Sequence, residues 1–382
     1  MIKKITITTG TRADYGFLIP ILNEISKKSD LKFYLIVSGM HLSKTHGYTI
    51  NQIKKDNFTI YAKIPSSPSG NTTFDMSVAL GKSVISFSKI FQKIKPDINI
   101  IFGDRDEQLA SGLAAYHMNI FNIHIHGGDV SGGIDEYNRH AMTKISNLHF
   151  AASNASKKRI IKMGEKPSSV FFTGSTAIDS LKNENISSKN YLESKLKLKI
   201  HGNEILLLFH PDTTESKESK KQILSILNAV KKLKIQTIAI LPNNDAGNYE
   251  IRQKLNDYAA KFGFIKLYPT LERSDYLGLL NNCGILVGNS SSGFIEGSYF
   301  SIPVLNIGVR QNNREGGKNI IQIHQFNSDY ISKKINYMLK IKNKRTIKIN
   351  GIYGNGNAAK KMIKIISSLK LDSNSIKKKL EY

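Results

Sequence analysis

Short runs of β-branched and aliphatic residues recur along this chain, and between them apolar positions return every three or four residues. The first run covers 5–9, and Leu18, Leu22 and Ile25 follow it at helical spacing. Alternation of this kind predicts βαβ units and parallel sheets. In the first half the strands are expected at 5–9, 31–37, 98–102, 120–125, 149–152 and 170–173, with helices at 76–94, 139–145 and 155–163 between the later ones. A second set is expected at 205–209, 237–241, 265–267, 285–287 and 303–307, with helices at 220–233 and 251–262. The two halves share a rhythm but no repeated sequence. Between Ser180 and Gly202 the composition shifts to Asn, Ser and Lys, which predicts a linker.

Composition sharpens this picture. A chain of 382 residues exceeds the size at which a single core keeps growing, so two domains are expected. The hydrophobic fraction of 40% is that of a globular protein, and no apolar run is long enough to span a bilayer. Lys3 and Lys4 precede only a short β-branched run with no small-residue cleavage site, so a secretory signal is not expected. Cys283 is the single cysteine, which excludes an internal disulfide and a cysteine-based zinc cluster and fits a cytoplasmic compartment.

The net charge of +25 raises nucleic acid as a partner. Residues 331–382 alone hold thirteen lysines and one arginine against Asp372 and Glu381, so much of the excess is local. There the lysines are interspersed with Ile, Leu and Met, as amphipathic helices with solvated faces would be. With no nucleic-acid module and no aromatic-interleaved basic strand, neither nucleic acid nor membrane is expected as a partner. The positive field would still favour a diphosphate-bearing substrate.

Polar motifs stand where predicted strands end. His124 and His126, with Gly127, Gly128 and Asp129, follow one apolar run, and Asp135, Glu136, Arg139 and His140 come within eleven residues. Open α/β sheets place ligands at such strand ends. Gly103-Asp104-Arg105 follows another run, and there Asp104 either faces a cleft or caps the helix beginning near Asp106. Asp135 and Arg139 lie four apart, as in an intrahelical ion pair. His124 and His126 alternate along a strand and so would share a face, which admits zinc, but no third ligand stands at reliable spacing. In the second half, His210-Pro211 closes a strand. Gly288 to Gly293 opens a helix start that suits phosphate or simply caps, and Ser290, Ser291 and Ser292 supply its hydroxyls. Glu296 is placed to accept from ribose hydroxyls, and Arg310 and Arg314 offer forked donors to a diphosphate. Gly10-Thr11-Arg12 fits neither a Walker loop nor a G-x-G-x-x-G turn, which argues against ATP and NAD.

In these stretches the chain resembles the hydrolysing nucleotide-sugar 2-epimerases. The matching residues are Thr9 to Gly16, Gly103-Asp104-Arg105, His124 to Asp129, Arg139-His140 with Thr143-Lys144, His210-Pro211, Gly288 to Gly293, and Asn306-Ile307-Gly308 with Arg310. The resemblance implies two Rossmann-like, doubly wound α/β domains facing a cleft, as in B-type glycosyltransferases. The domains would run over 1–185 and 200–354, with 355–382 forming a C-terminal helix that packs back on the first. It implies acid-base and leaving-group roles for Asp104, Asp129, Asp135, Arg139 and His210. Substrate contacts would come from Arg12, His126, Asn243, Ser290, Ser291, Ser292, Glu296, Arg310 and Arg314. No metal or redox cofactor is implied, and a homodimer is common among such enzymes. The implied reaction converts UDP-N-acetylglucosamine and water to N-acetylmannosamine and UDP, for nonulosonic acid biosynthesis. Relatives act on a 2,4-diacetamido-2,4,6-trideoxy sugar linked to UDP, or on a GDP-linked one. Asp14 and Asp129 stand where relatives often have Glu. A glycosyltransferase or a non-enzymatic nucleotide-sugar binding protein remains as an alternative on the same fold.

Overall fold

The computed structural model describes residues 2–43, 48–68, 73–130, 134–212, 217–242, 247–312, 314–342 and 351–381. Contacts divide the chain into two units, Met1–Lys182 with Tyr353–Tyr382, and Asn183–Ile352. No helix among the described residues is long and apolar enough to cross a membrane.

In the first unit the described strands are β1 (Lys3–Thr9), β2 (Leu31–Ser38), β3 (Ile60–Ile64), β4 (Ile98–Phe102), β5 (Phe121–Ile125), β6 (Leu148–Ala151) and β7 (Val170–Phe172). They form one parallel sheet in the order β3-β2-β1-β4-β5-β6-β7. Every residue of β4 and β5 is buried, as helices on both faces of a parallel sheet require. Polar side chains inside this sheet satisfy one another. Thr6 donates to Asn99 at 2.9 Å, Asn99 to Asn122 at 3.0 Å, and Asn122 to the Gly112 carbonyl at 2.9 Å.

The helix Ala358–Ser368 belongs to this unit and buries Ala358, Met362, Ile363 and Ile366 in the same core as Leu18, Leu22 and Ile25. The Asp179 carboxylate accepts from the backbone N–H groups of Ala358 and Ala359 at 2.9 and 2.7 Å, anchoring the start of that helix.

The second unit holds β8 (Ile205–Leu208), β9 (Thr237–Ile240), β10 (Ile265–Tyr268), β11 (Ile285–Gly288), β12 (Val304–Ile307) and β13 (Ile320–Ile323). They form a parallel sheet in the order β10-β9-β8-β11-β12-β13. Both sheets are therefore doubly wound. The direction of winding reverses between β1 and β4 in one and between β8 and β11 in the other, and such switch points open the crevice where ligands bind.

Two strands, β3 and β13, are absent from the sequence reading. Both are edge strands and mostly half-exposed, so neither shows the continuous apolar run of a buried strand. The stretch read as a linker is also structured. Ser188 caps the helix Lys189–Leu196, and Leu192, Leu196, Leu198 and Ile200 are buried amid its polar neighbours.

Candidate functional site

At the first switch point β1 ends in Thr9-Gly10 and the helix Arg12–Ser26 begins under a capping box. Thr11 accepts from the Asp14 N–H at 3.2 Å, and Asp14 accepts from the Thr11 N–H at 3.0 Å, the Gly10 N–H at 2.9 Å and the Thr9 hydroxyl at 2.7 Å. Burial, reinforced by Glu107, pushes the Asp14 carboxyl up to about 6 despite those donors. Glu107 is buried, receives Arg105 Nε at 2.9 Å, and fills the space beside Gly10, where a Cβ would stand 1.7 Å from its Oε1. His41 is buried beside them, with its ring nitrogens 3.0 Å from Thr9 Oγ1 and 2.7 Å from Thr49 Oγ1, and burial lowers it to about 4. Arg12 is exposed in the first turn of the helix.

Across the switch point, β4 runs into Gly103-Asp104. Arg139, on the helix Ile134–Lys144, pairs with the Asp104 carboxylate and donates from its other terminal nitrogen to the Asp129 carbonyl at 2.8 Å. The Asp129 carboxylate in turn accepts from Ser156 at 2.6 Å and lies 3.9 Å from His126 Nδ1. Arg159 donates to the Gly128 carbonyl. Asp104, Asp129, Arg139 and His126 are thus one connected network. Asp135 is exposed in the first turn of the same helix, and partial desolvation and then Asp104 raise its pKa.

Two expectations are corrected here. Asp104 is not a helix cap, because Arg105 occupies the cap position of Asp106–His117 and Asp104 is engaged by Arg139. His124 and His126 do not share a strand face, because β5 ends at Ile125 and His126 takes a left-handed φ of 63°. His126 instead packs against the rings of Phe17 and Phe102, which also stack on each other. His124 is fully buried with Nε2 2.9 Å from the Gly103 carbonyl and Nδ1 3.2 Å from Thr143 Oγ1, and burial lowers it to about 3. It fixes the turn that presents Asp104. Among the described residues no three His, Cys, Asp or Glu side chains are grouped to hold a metal ion.

At the second switch point Asn289 grips the end of β8 from β11. Its side chain accepts from the His210 N–H at 2.7 Å and donates to the His210 carbonyl at 2.8 Å. Gly288 has φ 146°, and a Cβ there would stand 1.8 Å from the Leu208 carbonyl oxygen, so only glycine lets the two strand ends approach. Arg310 donates to the Asn289 carbonyl at 3.4 Å, and Arg314 to the Gln311 side chain at 3.0 Å. Ser290 lies 3.0 Å from Ser292, which also meets the Tyr276 hydroxyl, and Ser291 opens the short turn Ser291–Gly293. Glu296 is buried. Burial raises its pKa and Arg273, 3.5 Å away and 2.9 Å from Glu184, works against that rise. Asn243 lies outside the described residues.

Several residues in these networks escaped the sequence reading: Glu107, His41, Ser156 and Arg159 in the first unit, and Asn289, Tyr276 and Arg273 in the second. Only Glu107 and Asn289 carried a signal, as polar residues next to strand-end motifs already singled out.

Each unit taken by itself suits a different task. The first gathers carboxylates around a guanidinium at the ends of β4 and β5, and the second gathers hydroxyls, arginines and a buried carboxylate at the ends of β8 and β11.

Comparisons with known proteins agree in kind. The sequence profile described as UDP-N-acetylglucosamine 2-epimerase matches residues 23–367. A Legionella pneumophila protein named UDP-N,N'-diacetylbacillosamine 2-epimerase (hydrolyzing) is 34% identical over 378 residues, covering 99% of each chain. A UDP-N-acetylglucosamine 2-epimerase of Neisseria meningitidis serogroup B is 33% identical over 333 residues, 87% of this chain and 85% of that one. The crystal structure of UDP-GlcNAc 2-epimerase from Neisseria meningitidis bound to UDP-GlcNAc superposes with a TM-score of 0.81 at 19% identity, covering 96% of this chain and 99% of that one.

Proposed function

The chain belongs to the UDP-N-acetylglucosamine 2-epimerase family, and on that premise we propose that it is a hydrolysing 2-epimerase of a UDP-linked 2-acetamido sugar. The observation that carries this reading is the joining of Asp104 and Asp129 through Arg139 at the strand ends of the first unit. Carbon 2 of such a sugar bears a proton that is not acidic. Its removal becomes accessible when the diphosphate leaves carbon 1 as the proton leaves carbon 2. A carboxylate takes the proton, the carbon 1–oxygen bond breaks with its electron pair going to UDP, and a 2-acetamidoglucal remains. Water then adds its oxygen at carbon 1, and a proton reaches carbon 2 on the opposite face.

In this scheme Asp104 and Asp129 serve as bases. Asp135, whose carboxyl holds its proton more readily than an ordinary one, serves as the acid. Arg139 orients the pair. On the second unit His210, Arg310, Arg314 and the serines 290–292 receive the diphosphate, with Glu296 turned to the ribose, and on the first unit Arg12 is the exposed anion donor.

The preferred substrate is UDP-N,N'-diacetylbacillosamine, because the Legionella relative aligns over the full length of both chains. UDP-N-acetylglucosamine is the second reading, supported by the Neisseria relative. Incubation with each UDP-sugar and its GDP counterpart in deuterated water tests both. Free UDP together with a free sugar deuterated at carbon 2 is expected. A UDP-linked product would overturn the hydrolysing assignment, and unchanged substrate in every arm would overturn the enzyme.

A further inference from the structure

Beneath the helix that carries Asp135 and Arg139 lies a buried charge cluster that the proposed chemistry does not use. His149 and Glu165 are 0% and 1% exposed, and His149 Nε2 lies 3.0 Å from Glu165 Oε2. Lys378 Nζ stands 2.7 Å from the same oxygen, and Lys144 Nζ is 3.7 Å from the other. The Lys378 ammonium also donates to three backbone carbonyls, those of Thr143 at 3.0 Å, Lys144 at 2.8 Å and Ser146 at 2.8 Å. These close the helix Ile134–Lys144, whose last carbonyls have no partner within the helix and carry the negative end of its dipole.

The segment that delivers Lys378 is tied down on either side. Asn147 donates to the carbonyls of Ser375 and Ile376 at 3.3 and 3.1 Å, and the Glu381 N–H donates to the Gly164 carbonyl at 2.8 Å. One turn links the clamp to the site, since the Thr143 hydroxyl donates to the Arg139 carbonyl at 3.1 Å and lies 3.2 Å from His124, which holds the Asp104 turn.

We infer that Lys378 is a positioning residue: by clamping the end of the helix Ile134–Lys144 onto Glu165, it sets Arg139 against Asp104 and the Asp129 carbonyl. The effect on turnover rests on the epimerase reading above, while the effect on the helix does not. A lysine suits the place because a compact ammonium on a long stem can meet several acceptors at once.

Full-length K378M, K378R, R139K and K378M/R139K proteins test this by steady-state kinetics and by amide hydrogen exchange. K378M should lower kcat about tenfold with KM changed less than about twofold, within what small misplacement of a catalytic group costs. K378R should regain part of the rate. In the R139K background the same Lys378 substitution should cost less than about twofold, because the two act as a unit. Amides 140–147 should exchange faster in K378M, and those of the helix Ser219–Leu233 should not. An equal fold loss in both backgrounds would reduce Lys378 to general stability. Unchanged exchange at 140–147 would overturn the clamp, even in a protein that turned over no UDP-sugar.

Discussion

Arg139 engages Asp104 through one end of its guanidinium and leaves the other for the Asp129 carbonyl, 2.8 Å away. A planar fork sets separate donors at a fixed spacing that spans these two partners, whereas the donors of an ammonium all radiate from one atom. Arg139→Ala should therefore lower kcat/KM by about 10²-fold, and Arg139→Lys should recover little of it. Steady-state kinetics with the UDP-sugar check this, and a near-normal rate for the lysine variant would remove the fork from the mechanism.

The two carboxylates in that network should be separable from its scaffold. Asp104→Asn and Asp129→Asn should each cost about 10²- to 10⁴-fold in kcat, the range for loss of a general base. Ser156→Ala, which removes the 2.6 Å donor to Asp129 together with a 3.0 Å contact to the Ser153 hydroxyl, should cost about tenfold or less. If either Asn variant turned over normally in the UDP-release assay, that aspartate would lose its role.

Packing around Gly10 gives a stability prediction. A Cβ at this position collides with the Glu107 carboxylate, which is buried and held by Arg105. Gly10→Ala should cost about 1–3 kcal/mol, as overpacking of a filled site does. Combining it with Glu107→Ala should cost less than the sum of the single changes, because the two residues compete for one space. Urea unfolding of the four proteins measures this, and simple additivity would refute the shared space.

Stability against pH should show opposing contributions. Asp14 is raised from 3.8 to about 6, so the folded state holds a proton that the unfolded state releases. Its contribution, on the order of 3 kcal/mol at full extent, is present below about pH 4 and lost as pH rises to about 6. His41 and His124 are lowered to about 4 and about 3, so their contribution is present above about pH 6.5 and lost as pH falls. Asp14→Asn leaves the histidines uncompensated. Its Tm should climb more steeply than that of the unaltered protein between pH 4 and 6.5, and parallel curves would contradict the assignment.

On the second unit, Asn289→Ala deprives both backbone groups of His210 of their partner. At this half-buried position each hydrogen bond lost costs about 0.5–1.5 kcal/mol. Calorimetric titration should show UDP binding weakened by about tenfold or more, alongside a lower Tm. UDP affinity equal to that of the unaltered protein would detach this clasp from nucleotide binding.

Much of the fold was legible because buried parallel strands are written as continuous apolar runs. Ile98 to Phe102 and Ile205 to Leu208 could be placed from the residues alone. β3 and β13 could not, since Lys63 and Gln322 interrupt their short apolar runs. At the site, strand-end position exposed Asp104, Asp129 and His210, and helical spacing put Asp135 and Arg139 on one element. Periodicity then misled at His126, because a left-handed backbone breaks the alternation of a strand without a glycine to announce it. Glu107 and Asn289 stood in or beside strand-end motifs, but what they bond was hidden, and His41 carried no signal at all. Each acts on a residue brought near only by the crossing of distant strands, and local pattern carries no trace of such meetings.

The helix Ala358–Ser368 fills the core of the unit that begins the chain, yet it is reached only after all of 183–352 has been made. During synthesis on the ribosome the later unit can therefore finish folding while the earlier one still waits with an open apolar groove. Nascent chains halted near residue 350 should lean on chaperones, and emergence of residues 353–382 is the event that completes the first unit.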